Sequence, residues 1–433
     1  MSKQDGSNRQ VSGPSVDSSS ATILHVDLDA FFASVELLDR PEIAHLPVIV
    51  AGKSLRSVVT AANYPARKFG VRSAIPLSQA LRLCPKAIVL EPHFDKYRYF
   101  SKKVMEIFDD VTPLVERLGI DEAFLDVAGA RSLLGSPAEV AALIRKRVQD
   151  ETRLTCSVGA ASTKFVAKVA SGRAKPDGIL VVPPQQTLAF LHPLPVGALW
   201  GVGAVTEEAL SRRGLRTIGD IANTPVIALQ RAVGDASGRK LHDLANGIDP
   251  RRVTTGSTEK SVGHETTFET DSVNSDELRR TMLGQANAVA VRLRTAGWVG
   301  RTVVLKVRLG DFTTITRSRT LVEATDVGRR IFEEVRGIYE SLGHHNPVRL
   351  IGVRMEQLTE SDGQQLGLWD ADEDWREAED TIDAVTARFG SGMIRPASLL
   401  KAGAPRGDAE NAHRIDYEQK ASPARRQNRP GEG

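Results

Sequence analysis

The stretch that decides the fold is HVDLDAFFASVE, residues 25–36. It begins inside an apolar run, Ile23 to Leu28, that has the composition of a β-strand and contains an acid at Asp27. A second acidic pair, Asp121-Glu122, follows a glycine turn far along the chain. Carboxylates at the ends of distant strands can meet at one edge of a sheet, where Mg²⁺ finds oxygen ligands. Two such ions, about 3.5–4 Å apart, hold both the attacking and the leaving oxygen of a phosphoryl transfer.

The same acids allow a plainer interpretation. An acidic pair after a turn is most often a solvated loop, so the pattern alone does not decide. Asp29 and Asp126 lie close to the predicted ligands and could replace them. The sequence therefore leaves a two-metal site and an exposed acidic surface both open at this point.

Aromatic and cationic residues near these acids suggest a nucleotide. Phe31-Phe32 could be core, or one ring could pack against a sugar where a 2′-hydroxyl would clash. In the segment 64–68, YPARK, the Tyr64 hydroxyl and the Arg67 guanidinium share a face if a helix begins there. Lys175 opens a turn, KPDG, that presents its ammonium group. Each feature alone is typical of a surface, whereas acids and cations together indicate a nucleoside-triphosphate site.

Composition excludes several classes of protein. A chain of 433 residues with 41 % hydrophobic and 26 % charged residues predicts about two to four globular domains. Only two cysteines, Cys84 and Cys156, argue against a disulfide scaffold or a thiolate zinc site, and they fit a reducing cytoplasm. No apolar run is long enough to span a membrane. Residues 1–21 are polar and serine-rich, which predicts a disordered arm rather than a signal peptide.

The charge is distributed unevenly along the chain. Residues 370–433 hold 10 Lys and Arg against 13 Asp and Glu, a net charge of −3, which leaves +6 on residues 1–369. A mildly basic body suggests a polyanionic partner. The acidic C-terminal part is a separate feature, and we expect an amphipathic helix between Trp375 and Phe389.

A second domain follows a polar linker at 250–259. Apolar residues recur at helical spacing from Leu278 to Leu293, after an N-capping serine. Strands are predicted at 302–309, 313–321 and 347–355, with a helix near 326–339. The order is βαββαβ-like, so we expect an α+β fold with a separate small α+β unit.

Several motifs resemble those of one family, the Y-family DNA polymerases, and among them the bacterial DNA polymerase IV (DinB) group. The resemblance runs in order through residues 22–358. The matching segments are HVDLDAFFASVE (25–36), ANYPARKFGV (62–71), IDEAFLDV (120–127), KFVAKVAS (164–171), KPDG (175–178), LRTIGD (215–220) and KSVG (260–263).

The resemblance implies roles for individual residues. Asp27, Asp121 and Glu122 would hold two Mg²⁺ ions with the carbonyl of Leu28, and Glu122 would be the catalytic carboxylate. Phe32 would be the steric gate that excludes ribonucleotides, with Phe31 beside it. Three further residues would grip the triphosphate: Tyr64, Arg67 and Lys175.

It also implies a right-hand architecture. The palm would be ferredoxin-like, the fingers small, the thumb helical with a helix-hairpin-helix, and the little finger a separate α+β domain. The implied boundaries are palm 22–30 and 94–184, fingers 31–93, thumb 185–249, linker 250–259, little finger 260–358, clamp-binding peptide and acidic helix 359–403, and disordered tail 404–433.

The family's reaction is attack of a primer 3′-hydroxyl on the α-phosphorus of a dNTP that is paired to template. Small side chains in the fingers, at Ala61 and Ser73-Ala74, would check base-pair shape weakly. The resemblance therefore implies low fidelity, translesion synthesis and no proofreading.

Three positions depart from the family pattern. Gly119 stands where serine is common and Phe124 where tyrosine is common, and neither position is a ligand. The thumb hairpin reads WGVG at 200–203 instead of PGVG, and it keeps Gly201 and Gly203, whose backbone N–H groups would approach a DNA phosphate.

The remaining predictions concern partners. In the strand at 313–321, Arg317 and Arg319 point to one face, as DNA-phosphate contacts or as a solvated surface. QLGLW at 365–369 resembles the peptide with which bacterial polymerases bind the sliding clamp, or it is a linker with stray leucines. Its anchors would be Gln365, Leu366, Leu368 and Trp369. We expect a cytoplasmic monomer that binds primer-template DNA and dNTPs.

Two other functions compete with the polymerase. A non-catalytic clamp-binding accessory protein could share the fold, although such relatives lack the metal carboxylates that Asp27, Asp121 and Glu122 provide here. A two-metal enzyme such as a nucleotide cyclase could use a similar palm, but it would have no use for a thumb, a little finger or a clamp-like peptide.

Overall fold

The structure is a computed structural model that describes residues 5–13, 16–54, 56–256, 259–343, 346–361, 372–390 and 394. The chain divides into two compact units, residues 1–258 and 259–433. The division lies inside the stretch for which the sequence predicted a linker.

The first unit contains two sheets and many helices. Its strands are β1 (Ile23–Leu28), β2 (Val48–Ala51), β3 (Val59–Ala62), β4 (Ile88–Leu90), β5 (Val115–Arg117), β6 (Glu122–Asp126), β7 (Cys156–Ala161) and β8 (Ile179–Val182). Its helices are α1 (Phe31–Leu37), α2 (Tyr64–Arg67), α3 (Leu77–Leu83), α4 (Phe94–Val111), α5 (Arg131–Leu134), α6 (Pro137–Thr152), α7 (Lys164–Ala174), α8 (Thr187–Leu191), α9 (Ala204–Ser211), α10 (Ile218–Ala222), α11 (Val226–Val233) and α12 (Asp235–Ala245).

The central strand of the larger sheet is β1. The strand order is β5-β6-β1-β7-β8, and β1 is antiparallel to both neighbours. Side chains alternate along a strand, so Leu24 and Val26 face the apolar core shared with α4 and α6. His25 and Asp27 therefore point to the opposite face, where α7 packs. This alternation is what places a buried histidine and a carboxylate over α7.

A smaller sheet and a helical segment complete the first unit. The smaller sheet has the order β3-β2-β4 and lies in the segment that the sequence assigned to the fingers. The chain from α8 to α12 is helical, with its own core around Leu210, Ile218 and Leu229. Thr217 caps α10, and the Asp220 carboxylate accepts the return hydrogen bond from the N–H of Thr217 to complete a capping box. These features agree with an α+β fold that has a helical thumb.

The second unit is a four-stranded sheet with helices on one face. Its elements are β9 (Ser261–Ser272), α13 (Ser275–Thr295), β10 (Trp298–Leu309), β11 (Thr314–Thr325), α14 (Gly328–Ser341), β12 (Val348–Glu360) and α15 (Glu373–Phe389). The strand order is β11-β10-β12-β9, and α13 and α14 cover one face. The predicted βαββαβ order and the α+β fold class are both confirmed.

The acidic helix expected near 375–389 is α15. Two of its acids pair with another helix of the second unit: Arg294 of α13 binds both Glu379 and Asp383. The guanidinium of Arg329 lies 4.2 Å from the centre of the Trp375 ring. The helix is therefore attached to α13 and α14 by ion pairs and a cation–π contact.

The prediction of a disordered N-terminal arm is wrong for the residues described in that stretch. The backbone N–H of Gln10 donates to the carbonyl of Arg173 (2.8 Å), and that of Ser12 to Ile179 (2.9 Å). The physical reason is that β8 is an edge strand, whose unpaired backbone groups bind an adjacent extended segment. Composition alone could not reveal that such an edge was available.

Within the described residues, every helix is too short or too polar to cross a bilayer.

Candidate active site

The predicted metal ligands come together at one end of the larger sheet. Asp27 and Glu122 are direct partners in the register between β1 and β6. Asp121 immediately precedes β6, and its carbonyl accepts a hydrogen bond from the N–H of Leu28 (2.9 Å). Antiparallel pairing of two acid-bearing strand ends is thus what brings three carboxylates from distant parts of the sequence into one place.

Two lysines hold these carboxylates. The ammonium of Lys175 donates to Asp27 Oδ1 (2.6 Å) and to the carbonyl of Leu28 (3.0 Å), so both oxygens face the same space. The ammonium of Lys168, on α7, donates to Glu122 Oε2 and lies 3.1 Å from His25 Nε2. The helix and the turn that follow β7 therefore supply the cations for acids on β1 and β6.

The acids differ in proton affinity. Burial, together with the charges of Asp27 and Glu122, raises the pKa of Asp121 to about 6. Burial acts in the same direction on Glu122, but the hydrogen bond with His25 and the charge of Lys168 outweigh it and lower the pKa of that carboxyl. Burial also lowers the pKa of His25, which keeps the imidazole neutral.

The site fits a hard divalent cation. The donor set is three carboxylates and a backbone carbonyl, which are the oxygen ligands that Mg²⁺ prefers. Burial, and after it the charges of Asp27 and Glu122, raise the pKa of Asp121, and a bound cation would relieve the repulsion between these carboxylates. Side-chain ligand atoms of Asp27, Glu122 and His25 lie within 4.8 Å of one another. His25 adjoins these atoms, but its ring nitrogens are engaged by Ser171 and Lys168.

Asp29 has a structural position that the sequence left open. It is 2 % exposed, and its Oδ1 accepts from Ser157 (2.9 Å) and from the hydroxyl of Tyr64 (3.2 Å). Its Oδ2 accepts from the N–H of Asp177 (2.8 Å). Asp29 therefore joins β7, α2 and the turn after α7, and it is unavailable as a simple metal ligand.

The predicted triphosphate-binding residues lie around Asp29. The Arg67 guanidinium lies 4.9 Å from the centre of the Tyr64 ring, and its Nε donates to the carbonyl of Ala62 (2.9 Å). Lys175 is 2 % exposed; burial opposes its charge, but Asp27 and Asp29 outweigh burial and raise its pKa. Tyr64 and Lys175 therefore lie near each other and near the carboxylates, as a nucleotide site requires.

The predicted gate residue is supported by an aromatic partner that sequence reasoning missed. Phe31 is buried, whereas Phe32 is partly exposed and stacks on Tyr97, with ring centres 4.2 Å apart and planes 22° apart. The Tyr97 hydroxyl donates to the buried carboxylate of Glu36. The FDKY segment that opens α4 was the available signal, but only the fold shows that it reaches α1.

The departure at Trp200 makes a specific contact. Its ring stacks on Phe124 of β6, with centres 5.8 Å apart, and the Arg251 guanidinium lies 4.1 Å from its centre. Arg251 in turn pairs with Asp249 (2.6 Å). Two of the three departures thus meet, and they connect the hairpin at 200–203 to β6, the strand that begins at Glu122. At the third, a Cβ on Gly119 would lie 3.5 Å from Asp121 Oδ1, ordinary contact distance.

The hairpin itself has the backbone form that its glycines allow. Gly201 has a positive φ of 98°, and the N–H of Val202 donates to the carbonyl of Leu199 (3.1 Å). Gly201 and Gly203 are both exposed, and they lie immediately before α9 in the chain. Their N–H groups are on the surface of the helical segment, where a phosphate could reach them.

The cations of the second unit lie on two sides of its sheet. Arg317 and Arg319 share the face of Ile315 and Leu321, and Arg319 pairs with Glu334 of α14 (2.7 Å). Lys306, Arg308 and Arg354 lie on the opposite, helix-free face. Arg354 was missed by the sequence reasoning because it lies in the mostly apolar stretch VRLIGVRM, away from the cation-rich segment 301–319.

The predicted clamp-binding residues Gln365, Leu366, Leu368 and Trp369 lie outside the described part of the chain, as do residues 395–433 with the predicted tail.

Comparison with known proteins identifies the family. Residues 26–172 match the impB/mucB/samB family, residues 259–368 match its C-terminal domain, and residues 197–249 match the thumb domain described for DNA polymerase iota. A DNA polymerase IV of Desulfatibacillum aliphaticivorans is 42 % identical over 383 residues, 87 % of this chain and 96 % of the relative. One of Alkalilimnicola ehrlichii is 43 % identical over 354 residues, 80 % of this chain and 99 % of the relative.

Solved structures agree on the fold. A chimaeric Y-family DNA polymerase matches with a TM-score of 0.70 at 24 % identity, covering 78 % of this chain and 99 % of its own. DinB from Sulfolobus solfataricus matches with a TM-score of 0.55 at 24 % identity, covering 77 % of this chain and 98 % of its own. The chain belongs to the Y-family DNA polymerases, in the DNA polymerase IV group.

Proposed function

We propose that this protein is a template-directed DNA polymerase that extends a primer with dNTPs and copies damaged template at low fidelity. The observation that carries the proposal is the convergence of Asp27, Asp121 and Glu122 beside the buried ammonium of Lys175. Acids for metal ions and a cation for phosphate at one edge of a sheet are the requirements of nucleotidyl transfer.

Asp27, Asp121, Glu122 and the Leu28 carbonyl are proposed to hold two Mg²⁺ ions. Bound Mg²⁺ would lower the pKa of the primer hydroxyl and stabilise the charge that develops on the phosphate oxygens. Lys168 and the neutral His25 orient Glu122 through its Oε2. The pairing of β1 with β6 fixes the carboxylates before substrate arrives, so that little reorganisation is needed in the transition state.

The nucleotide is proposed to lie between Phe32 and Lys175. Lys175, Tyr64 and Arg67 bind the triphosphate oxygens, and the Phe32 ring occupies the space that a 2′-hydroxyl would need. Tyr97 prevents the Phe32 ring from moving away, because the two rings stack and the Tyr97 hydroxyl is bound to Glu36. A buried hydrogen bond therefore holds in place the ring on which Phe32 stacks.

Low fidelity is proposed because the side chains behind Phe32 and Tyr64 are small. Ala61 lies with Ala30, Ala33 and Val50 in a small buried cluster against which Phe32 and Tyr64 pack. Alanines offer little steric contact with a mispaired or damaged base, so discrimination between base pairs by shape is weak. The same lack of bulky side chains would let a damaged template base enter the site.

DNA is proposed to contact both units. The N–H groups of Gly201 and Gly203 bind a phosphate, and the cations on the sheet of the second unit bind the duplex without regard to sequence. Arg317 and Arg319 lie along the edge strand β11, and Lys306, Arg308 and Arg354 on the open face add charge. We propose further that residues 365–369 bind the sliding clamp, and that the enzyme acts as a cytoplasmic monomer.

Primer extension tests the proposal. Wild-type protein with Mg²⁺ and dNTPs should extend a primer by the base complementary to template, on undamaged DNA and opposite an abasic site. The Asp121→Ala/Glu122→Ala protein should bind the same DNA and extend nothing. Absence of extension by folded, DNA-binding wild type would leave the non-catalytic accessory protein as the better account.

A further inference from the structure

The N-terminal arm, defined here as residues 5–12, lies beside the nucleotide site. We propose that this arm is a positioning element that holds the 175–178 turn and the Tyr64 ring in their dNTP-binding arrangement. The inference rests on the proposed function, which assigns Lys175 and Tyr64 to the triphosphate. It adds a segment that precedes the family motifs in the sequence.

The arm is attached to the edge strand β8. Ser12 donates its N–H to the carbonyl of Ile179 (2.9 Å), and its hydroxyl accepts from the N–H of Val181 (2.8 Å). The N–H of Gln10 donates to the carbonyl of Arg173, the penultimate residue of α7 (2.8 Å). These bonds fix the arm against both elements that flank the 175–178 turn.

The middle of the arm contacts the turn directly. Nη2 of Arg9 donates to the carbonyl of Asp177 (2.8 Å), which also accepts from Nη2 of Arg145 (2.8 Å). A Cβ placed on Gly178 would lie 3.0 Å from Cγ1 of Val11, so the Val11 side chain packs closely against the Gly178 backbone. Asp177 has a positive φ of 50°, a conformation that these neighbours help to maintain.

The start of the arm reaches two side chains of the site. A Cβ on Gly6 would lie 3.2 Å from Cδ of Pro176 and 3.8 Å from Cδ1 of Tyr64. Gly6 also has a φ of +89°, which favours glycine there. The backbone of Gly6 thus lies against both the turn and the Tyr64 ring.

Displacement of the turn would be transmitted to the substrate-binding groups. The N–H of Asp177 donates to Asp29 Oδ2 (2.8 Å), and Asp29 Oδ1 accepts from the Tyr64 hydroxyl (3.2 Å). Lys175 begins the same turn and binds Asp27 (2.6 Å). Because one short turn connects these groups, the arm that supports it sets the position of the Lys175 ammonium and the Tyr64 ring together.

The test measures dNTP affinity without chemistry. Ternary complexes are formed on a dideoxy-terminated primer-template with Mg²⁺, and the Kd of the complementary dNTP is measured by calorimetry. The Kd of DNA and the Tm are measured in parallel. The variants are deletion of residues 1–12, Gly6→Val and Arg9→Ala. Ser7→Ala is the matched control, because its hydroxyl donates to Asp5 within the arm.

We expect the deletion to raise the Kd of the dNTP about tenfold and each point variant about threefold, the factors that one or two net hydrogen bonds carry. The Kd of DNA should stay within about twofold, and Ser7→Ala should match wild type. The point variants keep the test decisive if the deleted protein does not fold.

Two results would overturn the inference alone. A lower Tm with an unchanged Kd for dNTP would mean that the arm only covers the edge of β8. Tighter dNTP binding after deletion would mean that the arm obstructs the site. A wild-type ternary complex that binds no dNTP would instead overturn the proposed function, on which the inference depends.

Discussion

The larger sheet of the first unit, called here the first sheet, and the sheet of the second unit, called the second sheet, use charge in opposite ways. At the end of the first sheet the titratable groups are enclosed: Lys175 and Asp29 are each 2 % exposed, and the neutral His25 is fully buried. Each has defined partners at hydrogen-bonding distance. On the second sheet the cations are largely exposed, as at Arg317 and Arg354. The first arrangement fixes the positions of the enclosed side chains, whereas the second provides a positive electrostatic potential that attracts a polyanion.

This difference separates the proposed reaction site from the proposed DNA-binding surface. Buried, paired charges respond strongly to the loss of one partner, because the remaining charge is left uncompensated. Exposed charges are screened by salt and contribute small, similar amounts to the binding of a polyanion. We therefore expect substitutions at the first sheet to change rate or specificity, and substitutions at the second to change affinity and its dependence on salt.

The largest effect is expected at Asp27. Asp27→Ala should lower the single-turnover rate of nucleotide addition by at least about 10³-fold, because a metal-ligand carboxylate is lost where charge develops. Rapid-quench kinetics at saturating DNA measure this rate. The Kd of DNA should stay within about twofold. Asp109→Ala, at an exposed acid of α4, is the control. A similar loss of rate in both variants would contradict the role proposed for Asp27 as a metal ligand.

A large effect on specificity is expected at Phe32. Phe32→Ala should reduce discrimination against rNTPs by about 10²-fold, because the ring no longer fills the space beside the sugar. The ratio of kcat/KM for dNTP and rNTP measures it. Phe94→Ala removes an exposed ring 6.2 Å from Phe32 and should leave the ratio near that of wild type. Unchanged discrimination in Phe32→Ala would show that another group excludes the 2′-hydroxyl.

A moderate effect is expected on the second sheet. Arg317→Ala/Arg319→Ala should weaken DNA binding about tenfold and reduce the slope of log K against log salt by about 1.8, because two phosphate contacts are lost. Fluorescence anisotropy over a salt series measures both. Arg279→Ala/Arg280→Ala removes equal charge from α13 and should leave the slope nearly unchanged. If only the α13 pair changed the slope, the DNA-binding surface would have been assigned to the wrong residues.

The smallest effect is on stability. The pKa of Asp121 is raised from 3.8 to about 6, so the folded state binds the proton more tightly than the unfolded state. Without metal, the ionised carboxyl therefore costs stability at pH 8, and this cost is lost as pH falls from about 6 through 4. Asp121→Asn should raise the free energy of unfolding by about 1–2 kcal/mol at pH 8, after discounting for solvent screening, and by little at pH 4.

Urea unfolding in a chelator measures this difference, with Asp39→Asn at an exposed acid as control. Mg²⁺ should stabilise wild type more than Asp121→Asn. If the gain in the free energy of unfolding of Asp121→Asn grew as the pH fell, the pKa of Asp121 would not be raised in the folded state.

Much of this arrangement could be predicted from the sequence. The right-hand fold was implied by the resemblance of the motifs at 25–36 and 120–127 to the Y-family polymerases, whereas the pattern of acids alone left a metal site and an exposed surface both open. The sequence also predicted the order of elements in the second unit, since its hydrophobic periods are long and clear.

What could not be predicted depends on contacts between distant segments. Asp29 looked like a possible ligand, and only its bonds to Ser157, Asp177 and Tyr64 show that it joins three elements. Tyr97 reaches Phe32 from another helix. The arm at 5–12 was predicted to be disordered because its composition is polar, and composition carries no information about an open sheet edge.

Metal binding is the most direct test of the central claim, that the edge of the first sheet is a two-metal site. Mn²⁺ occupancy is measured by electron paramagnetic resonance in ternary complexes of wild type and of Asp121→Ala/Glu122→Ala, each with dideoxy-terminated DNA and complementary dNTP. The account predicts about two ions per wild-type complex, competed by Mg²⁺, and weaker binding of at least one ion in the variant. Equal occupancy and affinity in both proteins would contradict it.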